Sequence, residues 1–286
     1  MKLSGRNTLI TGGSQGFGRA IVEAFLAEGA NVVFCARTAA DVSATQAALA
    51  PRLNSGQQLI GLTCDIADPA SVAALFARVA QLGPLHAVVN NAGIYGPIGP
   101  TEEVSLTDWN QAWQVNVTGT LLVCQQAVRA MKPRRAGKII NISGGGATNP
   151  MPRFVAYAAT KAAVVRLTET LAEEYRADHI DVNAVAPGAL RTRLTAQVLA
   201  AGPDKAGAEF FAKNKKWADE GAVDPRLGAA LCVYLASDES NGITGKLISA
   251  QWDPWKDPAR FRAQATGDVY TLRRIVPEDR VKKPGS

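Results

Sequence analysis

TLITGGSQGFGRA, residues 8–20, is the stretch that decides the fold. Leu9 and Ile10 close a short apolar run, and Thr11, Gly12, Gly13, Ser14, Gln15, Gly16, Phe17 and Gly18 then turn the chain into an apolar-periodic helix. Glycine at such a turn permits a tight reversal and lets main-chain N–H groups come close to a bound anion. Unpaired N–H groups and the macrodipole at the helix N-terminus favour a diphosphate there. The spacing is Thr-Gly-x-x-x-Gly-x-Gly, not the commoner Gly-x-Gly-x-x-Gly. Taken alone, it reads equally as a plain structural turn from strand to helix.

The chain beyond it repeats the same alternation. Residues 31–36, 58–63, 85–89, 138–143, 180–186 and 245–249 read as short apolar strands, with helical patterns over 41–53, 71–80, 106–131, 157–177 and 225–236 between them. Such an alternation builds right-handed crossovers and a mostly parallel sheet with helices on both faces. Ligands of such sheets sit beyond the carboxyl ends of the strands. The polar motifs stand at those ends: Ala36-Arg37-Thr38, Cys64-Asp65-Ile66, Asn90-Asn91-Ala92-Gly93 and Pro187-Gly188. At the end of the second strand an acid would bond ribose hydroxyls, whereas an arginine accommodates a 2′-phosphate. Ala36 stands in the acid's place and Arg37 follows it, which favours NADP, with NAD as the alternative. Asp65 reads either as an adenine contact or as a turn cap. Tyr157 and Lys161, four apart, share one helical face.

Composition narrows the field. The chain has 286 residues, 47% of them apolar, and no apolar run approaches the ~20 residues of a membrane span. Residues 1–6 carry no secretory pattern, so the reading is a soluble, cytoplasmic protein with no membrane partner. Cys35, Cys64, Cys124 and Cys232 are far apart in apolar stretches and read as buried free thiols. With His86 and His179 the only histidines, neither a serine–histidine hydrolase nor a metal centre has material to work with. The net charge of +6 is scattered, which argues against a nucleic-acid partner.

Together the ordered motifs resemble the short-chain dehydrogenase/reductase family: the turn at 11–18, Asn90-Asn91-Ala92-Gly93, Tyr157-x-x-x-Lys161, and Pro187-Gly188 with Thr192. The resemblance covers residues 3 to about 250. It implies a single doubly wound Rossmann-type α/β domain with strand order 3-2-1-4-5-6-7. It also implies hydride transfer between a nicotinamide and a carbonyl or secondary alcohol. Tyr157 would be the general acid/base, Lys161 would bond the nicotinamide ribose and lower the phenol's pKa, and Asn116 would hold a water in the proton relay. Thr11, Gly12, Ser14, Gln15, Gly16, Phe17, Gly18, Arg37, Asp65, Ile66, Asn90, Asn91, Ala92, Gly93, Pro187, Gly188, Leu190 and Thr192 would line the cofactor. A homodimer or homotetramer built on the helices carrying Asn116 and Tyr157 is expected.

One catalytic member departs from the pattern. The family serine falls on Gly144, with Ser143 one place earlier, so strand alternation aims Ser143 at the opposite face. Either the glycines at 144–146 kink the strand end and turn Ser143 into the site, or the serine's work passes to a backbone N–H or to Asn149. This departure motivates a rival reading, a dinucleotide-binding regulatory or scaffold protein without turnover. A sugar epimerase or dehydratase using the same cofactor is a nearer alternative. Residues 194–223 resemble a substrate lid, with Lys213, Lys215 and Lys216 read as a solvated face. Residues 251–286 exceed the family's usual end and are expected to pack on the domain or on a neighbouring subunit. A sharper expectation places Trp252 and Trp255 in the pocket wall, with Arg273 or Arg274 meeting an anion. Residues 282–286 read as a frayed terminus.

Overall fold

Seven parallel strands form one sheet in the order β3-β2-β1-β4-β5-β6-β7. They are β1 (Asn7–Thr11), β2 (Asn31–Ala36), β3 (Leu59–Thr63), β4 (Leu85–Asn90), β5 (Gly137–Ile142), β6 (Ile180–Ala186) and β7 (Leu247–Ser249). This is a computed structural model, and it describes residues 1–276 and 279; the terminus at 282–286 lies outside them. The helices are α1 (Gly16–Ala27), α2 (Ala39–Leu49), α3 (Pro69–Ala80), α4 (Leu106–Trp113), α5 (Thr120–Met131), α6 (Val155–Glu174), α7 (Arg193–Ala206), α8 (Ala208–Glu220), α9 (Pro225–Ala236) and α10 (Pro258–Gln264).

The central residues of the strands are mostly apolar because both faces of the sheet are covered. Adjacent residues of one strand feed opposite cores: Ile10, Phe34, Val89 and Ile140 pack with Ile21 and Phe25 of α1 and Leu231 of α9. Leu9, Val33, Val88 and Ile139 pack on the other side with Val72 and Leu75 of α3 and Val123 of α5. Three Asp-Pro pairs start helices. Asp68, Asp224 and Asp257 each accept an N–H of the first turn, and the following proline gives up a donor that the helix would leave unpaired.

Two sequence expectations change in detail. The span 106–131 is not one regular helix, because residues Gln114–Gly119 form a π turn between α4 and α5. Such a turn bulges one residue outward, and here it aims Asn116 inward. The last strand shortens to Leu247–Ser249.

The tail keeps packing after β7. Trp255 is buried against Tyr234 (ring centroids 6.4 Å apart) and its Nε1–H donates to Ala250 O at 2.9 Å. Phe261 of α10 is fully buried beside Tyr234 and Tyr270. Further on, Leu247 N–H donates to Tyr270 O at 2.8 Å, so tail main chain lies along the outer edge of β7. The expectation that Trp252 and Trp255 wall the pocket is therefore corrected: Trp255 belongs to the core and Trp252 is 79% exposed. Arg273 meets Asp268 and Asp279 rather than a ligand.

Candidate active site

A cleft of about 570 Å³ runs over the carboxyl ends of β1 to β4. Its floor is the turn between β1 and α1, where Gly12 (φ +65°) and Gly16 (φ +54°) hold backbone conformations that other residues rarely adopt. A Cβ on Gly18 would stand 2.0 Å from Gly12 O, so the helix starts hard against the turn. The end of β4 is stitched to this floor. Thr11 Oγ1 accepts the N–H groups of Asn91 and Ala92 (3.1 Å each), and Asn91 Nδ2 donates to the carbonyls of Thr11 and Gly12 (3.1 Å each).

Most of the predicted cofactor residues come together in the cleft wall: Gly12, Ser14, Gln15, Gly16, Phe17, Gly18, Arg37, Asp65, Ile66, Asn91, Ala92, Gly93 and Thr192. Arg37 is exposed at the rim, next to Thr38 and Asp41. Asp65 lines the cleft and accepts Ala67 N–H at 3.0 Å through Oδ1. Thr192 caps α7 by accepting Leu194 N–H at 3.2 Å. Thr11 braces the wall from behind, Asn90 is buried under it against Asn141 (2.9 Å), and Pro187, Gly188 and Leu190 lie in the β6–α7 connection outside the immediate lining. This bare, glycine-built cradle facing a helix N-terminus fits a dinucleotide diphosphate.

Behind Gly93 lies the second half of the site. A side chain begun at Gly93 would come 3.5 Å from Lys161 Nζ and 3.2 Å from Asn116 Oδ1. Lys161 Nζ donates to Ile142 O at 2.8 Å and sits 5.6 Å from the Tyr157 ring centre. Asn116 acts as a brace. Its Nδ2 donates to Ile94 O (2.8 Å) and Thr160 Oγ1 (3.0 Å), while its Oδ1 accepts Ile94 N–H (2.9 Å). The π turn is what brings this amide between the β4 loop and α6.

Protonation departs from expectation. Burial pushes the Tyr157 phenol up, and the nearby Tyr95 pushes it further the same way. Burial also pulls Lys161 down to about 8. The expected lowering of the phenol by the ammonium is thus corrected, because desolvation outweighs a charge already turned towards the Ile142 carbonyl.

Ser143 is a second correction. A Cβ on Gly144 would lie 3.0 Å from Tyr157 Oη, so position 144 is the one that faces the phenol. Ser143 is buried on the other side, its hydroxyl pointing to Lys161 O at 3.5 Å. Its N–H still pairs with Val185 O (2.8 Å), so the glycines do not kink the strand end and alternation prevails. Asn149 spends its amide on Gly145 O and Thr148 Oγ1. Ser143→Ala is expected to lower turnover by less than about tenfold, below the hundred- to thousandfold that a lost oxyanion donor costs; steady-state kinetics checks it.

The sequence reading missed the packed aromatic cluster beside the phenol. Tyr95 meets Tyr157 edge-on with ring centres 4.6 Å apart, Phe154 lies 5.1 Å from Tyr95, and Phe210 lies 4.8 Å from Phe154. Met151, Leu194 and Val198 complete the apolar wall. The signal for Tyr95 was its place two residues after Gly93, at a strand's carboxyl end. Phe210 gave none, since only the packing of α8 brings it there. The lysines of α8 are surface groups as expected, with Lys213 on Glu209 (2.7 Å) and Lys216 on Glu220 (3.6 Å).

Comparison with known proteins agrees with this geometry. A family model described as short chain dehydrogenase matches residues 6–202. The chain is 35% identical over 252 residues to a short-chain type dehydrogenase/reductase of Picea abies, covering 86% of this chain and 91% of the relative. It is 34% identical over 247 residues to a D-threitol dehydrogenase of Mycolicibacterium smegmatis, covering 85% and 90%. Among solved structures, levodione reductase superposes with a TM-score of 0.79 at 26% identity, covering 86% of this chain and 96% of that one. Actinorhodin polyketide ketoreductase with NADPH does so at 0.77 and 29%, covering 86% and 95%.

Proposed function

Because the chain belongs to the short-chain dehydrogenase/reductase family, we propose that it moves a hydride between NADP(H) and a bulky, largely apolar ketone or secondary alcohol. Its activity class is that of an NAD(P)-dependent oxidoreductase of carbonyl and alcohol substrates. The observation behind the substrate reading is the apolar surround of Tyr157, where Tyr95 packs on the phenol ring, Phe154 on Tyr95 and Phe210 on Phe154. When bound, the cofactor supplies the hydride for reduction or accepts it in oxidation. Tyr157 holds the proton that the substrate oxygen takes up, and its raised pKa keeps that proton in place at neutral pH. Lys161 holds a ribose hydroxyl and restores the phenol's proton, while Asn116 fixes the loop over both. Arg37 meets the 2′-phosphate and Asp65 the adenine amino group. Gly144 leaves the substrate oxygen without a serine donor beside the Tyr157 hydroxyl.

Residues 194–223 close over the substrate, residues 1–250 form the catalytic domain, and 251–286 are an extension of it. The reading includes a cytoplasmic site of action; among the described residues no helix is long and apolar enough to cross a membrane. A homodimer or homotetramer through the faces of α5 and α6 completes the reading.

The test is a kinetic screen of cyclic and open-chain carbonyls with NADPH and NADH. Cyclic ketones are expected to oxidise NADPH fastest. Arg37→Ala is expected to raise the KM for NADPH by about tenfold or more and leave that for NADH unchanged, since only the phosphate ester uses the guanidinium. An Arg37→Ala enzyme with both constants intact refutes the cofactor preference. Tight cofactor binding with no compound reduced favours the binding-only rival.

A further inference from the structure

The opposite pole of the sheet carries a second cavity, of about 850 Å³, where β1, β4, β5 and β6 begin. Strands of five to seven residues separate it from the catalytic cleft by about 20 Å. Arg6, Arg134, Arg135, Lys138 and Arg176 line it, opposed by Asp181 and Asp238. Both histidines of the chain, His86 and His179, line it too. The pairing within this set is uneven. Lys138 bonds Asp181 at 2.6 Å, Arg6 bonds Asp238, and Arg176 bonds Glu173. Those contacts neutralise three of the five cations. Among the described residues, Arg134 and Arg135 instead meet only main-chain carbonyls, Leu85 O at 2.8 Å and Ala177 O at 2.7 Å. Each guanidinium has five N–H donors, so most of both forks stay open towards solvent and the cavity.

His86 is a neutral, half-buried part of the lining. Its Nδ1 accepts Asn7 N–H at 3.1 Å, which leaves the ring proton on Nε2. Burial, with Arg134 and Arg6 nearby, holds its pKa down and keeps the ring uncharged. The backbone holds two of these residues in place: Arg135 (φ +48°) and His179 (φ +52°) end the short turns that lead into β5 and β6 in the left-handed conformation. No part of the hydride-transfer site uses this cavity.

We propose that the cavity is a binding site for a dianionic phosphoryl group, with Arg134 and Arg135 as its anchors. Two unpaired guanidiniums match two negative charges, and their planar forks fit phosphate oxygens bidentately. The volume exceeds what a free phosphate needs, so the natural ligand is a phosphorylated small molecule rather than the inorganic ion.

Calorimetric titration of inorganic pyrophosphate into the full chain tests this, with NADP at saturation so that the glycine-rich cleft is closed to the probe. The expected result is one saturable site, weakened about tenfold or more in Arg134→Ala/Arg135→Ala, whose exposed side chains leave folding intact and whose turnover stays at the parent level. Arg134→Lys/Arg135→Lys should restore binding only in part, because an ammonium cannot make the bidentate contact. No saturable binding, or equal binding in the double alanine variant, overturns the site. Citrate binding as tightly as pyrophosphate overturns its phosphoryl character.

Discussion

Tyr157→Phe should lower turnover by about a hundred- to ten-thousandfold, the range a positioned acid contributes, while cofactor affinity changes little. The substitution removes one oxygen and leaves the ring contacts with Tyr95 and the aromatic cluster in place. What goes is the proton for the substrate oxygen, since Gly144 has no side chain and Ser143 points to Lys161 O. The pH profile separates this role from packing. Burial raises the phenol, so its proton is in place throughout the neutral range, and it lowers Lys161 to about 8. A lysine is charged below its pKa. Carbonyl reduction should therefore hold level up to about pH 8 and fall above it, as Lys161 loses the charge that supports proton resupply. Lys161→Ala should lose that alkaline limb. A Tyr157→Phe enzyme within tenfold of the parent would remove the phenol from the chemistry.

Gly18→Ala should abolish cofactor binding. The added methyl meets Gly12 O at 2.0 Å, which is backbone of the cradle floor, and Asn91 Nδ2 at 2.4 Å, a side-chain end held in place by its bonds to the Thr11 and Gly12 carbonyls. Relief requires the turn to move off β4, which breaks the bonds from Asn91 to the Thr11 and Gly12 carbonyls. Overpacking of this kind costs about 1–3 kcal/mol or more in stability. Fluorescence titration with NADPH and a thermal melt read the two effects separately. Gly145→Ala is the matched control, since a Cβ there meets nothing within 4 Å. Equal binding by both variants would refute the close-packed cradle.

The fold was legible because its signals are local. Apolar runs such as 31–36 and 180–186 end at polar motifs. The cofactor wall was legible for the same reason, since the turn at 11–18 and Asn91-Ala92-Gly93 are contiguous segments at strand ends. What escaped depends on packing between distant segments. Phe210 reaches the cluster only because α8 folds over Phe154, and Trp255 joins the core only because α9 presents Tyr234. The phenol's protonation escaped too. Sequence spacing put an ammonium four residues away, but how dry the site is follows from the elements around it. Ser143 was decidable in principle: strand alternation predicted its orientation, and only the glycines at 144–146 left a kink open.

The bond from Leu247 N–H to Tyr270 O has a bearing on assembly. An uncovered border strand invites another chain to continue its ladder. Here the polypeptide has occupied that border with its own later segment, so a second copy cannot extend the sheet by adding a strand at Leu247. The extra length after β7 therefore closes one of the two borders of the sheet to strand addition, the other being β3.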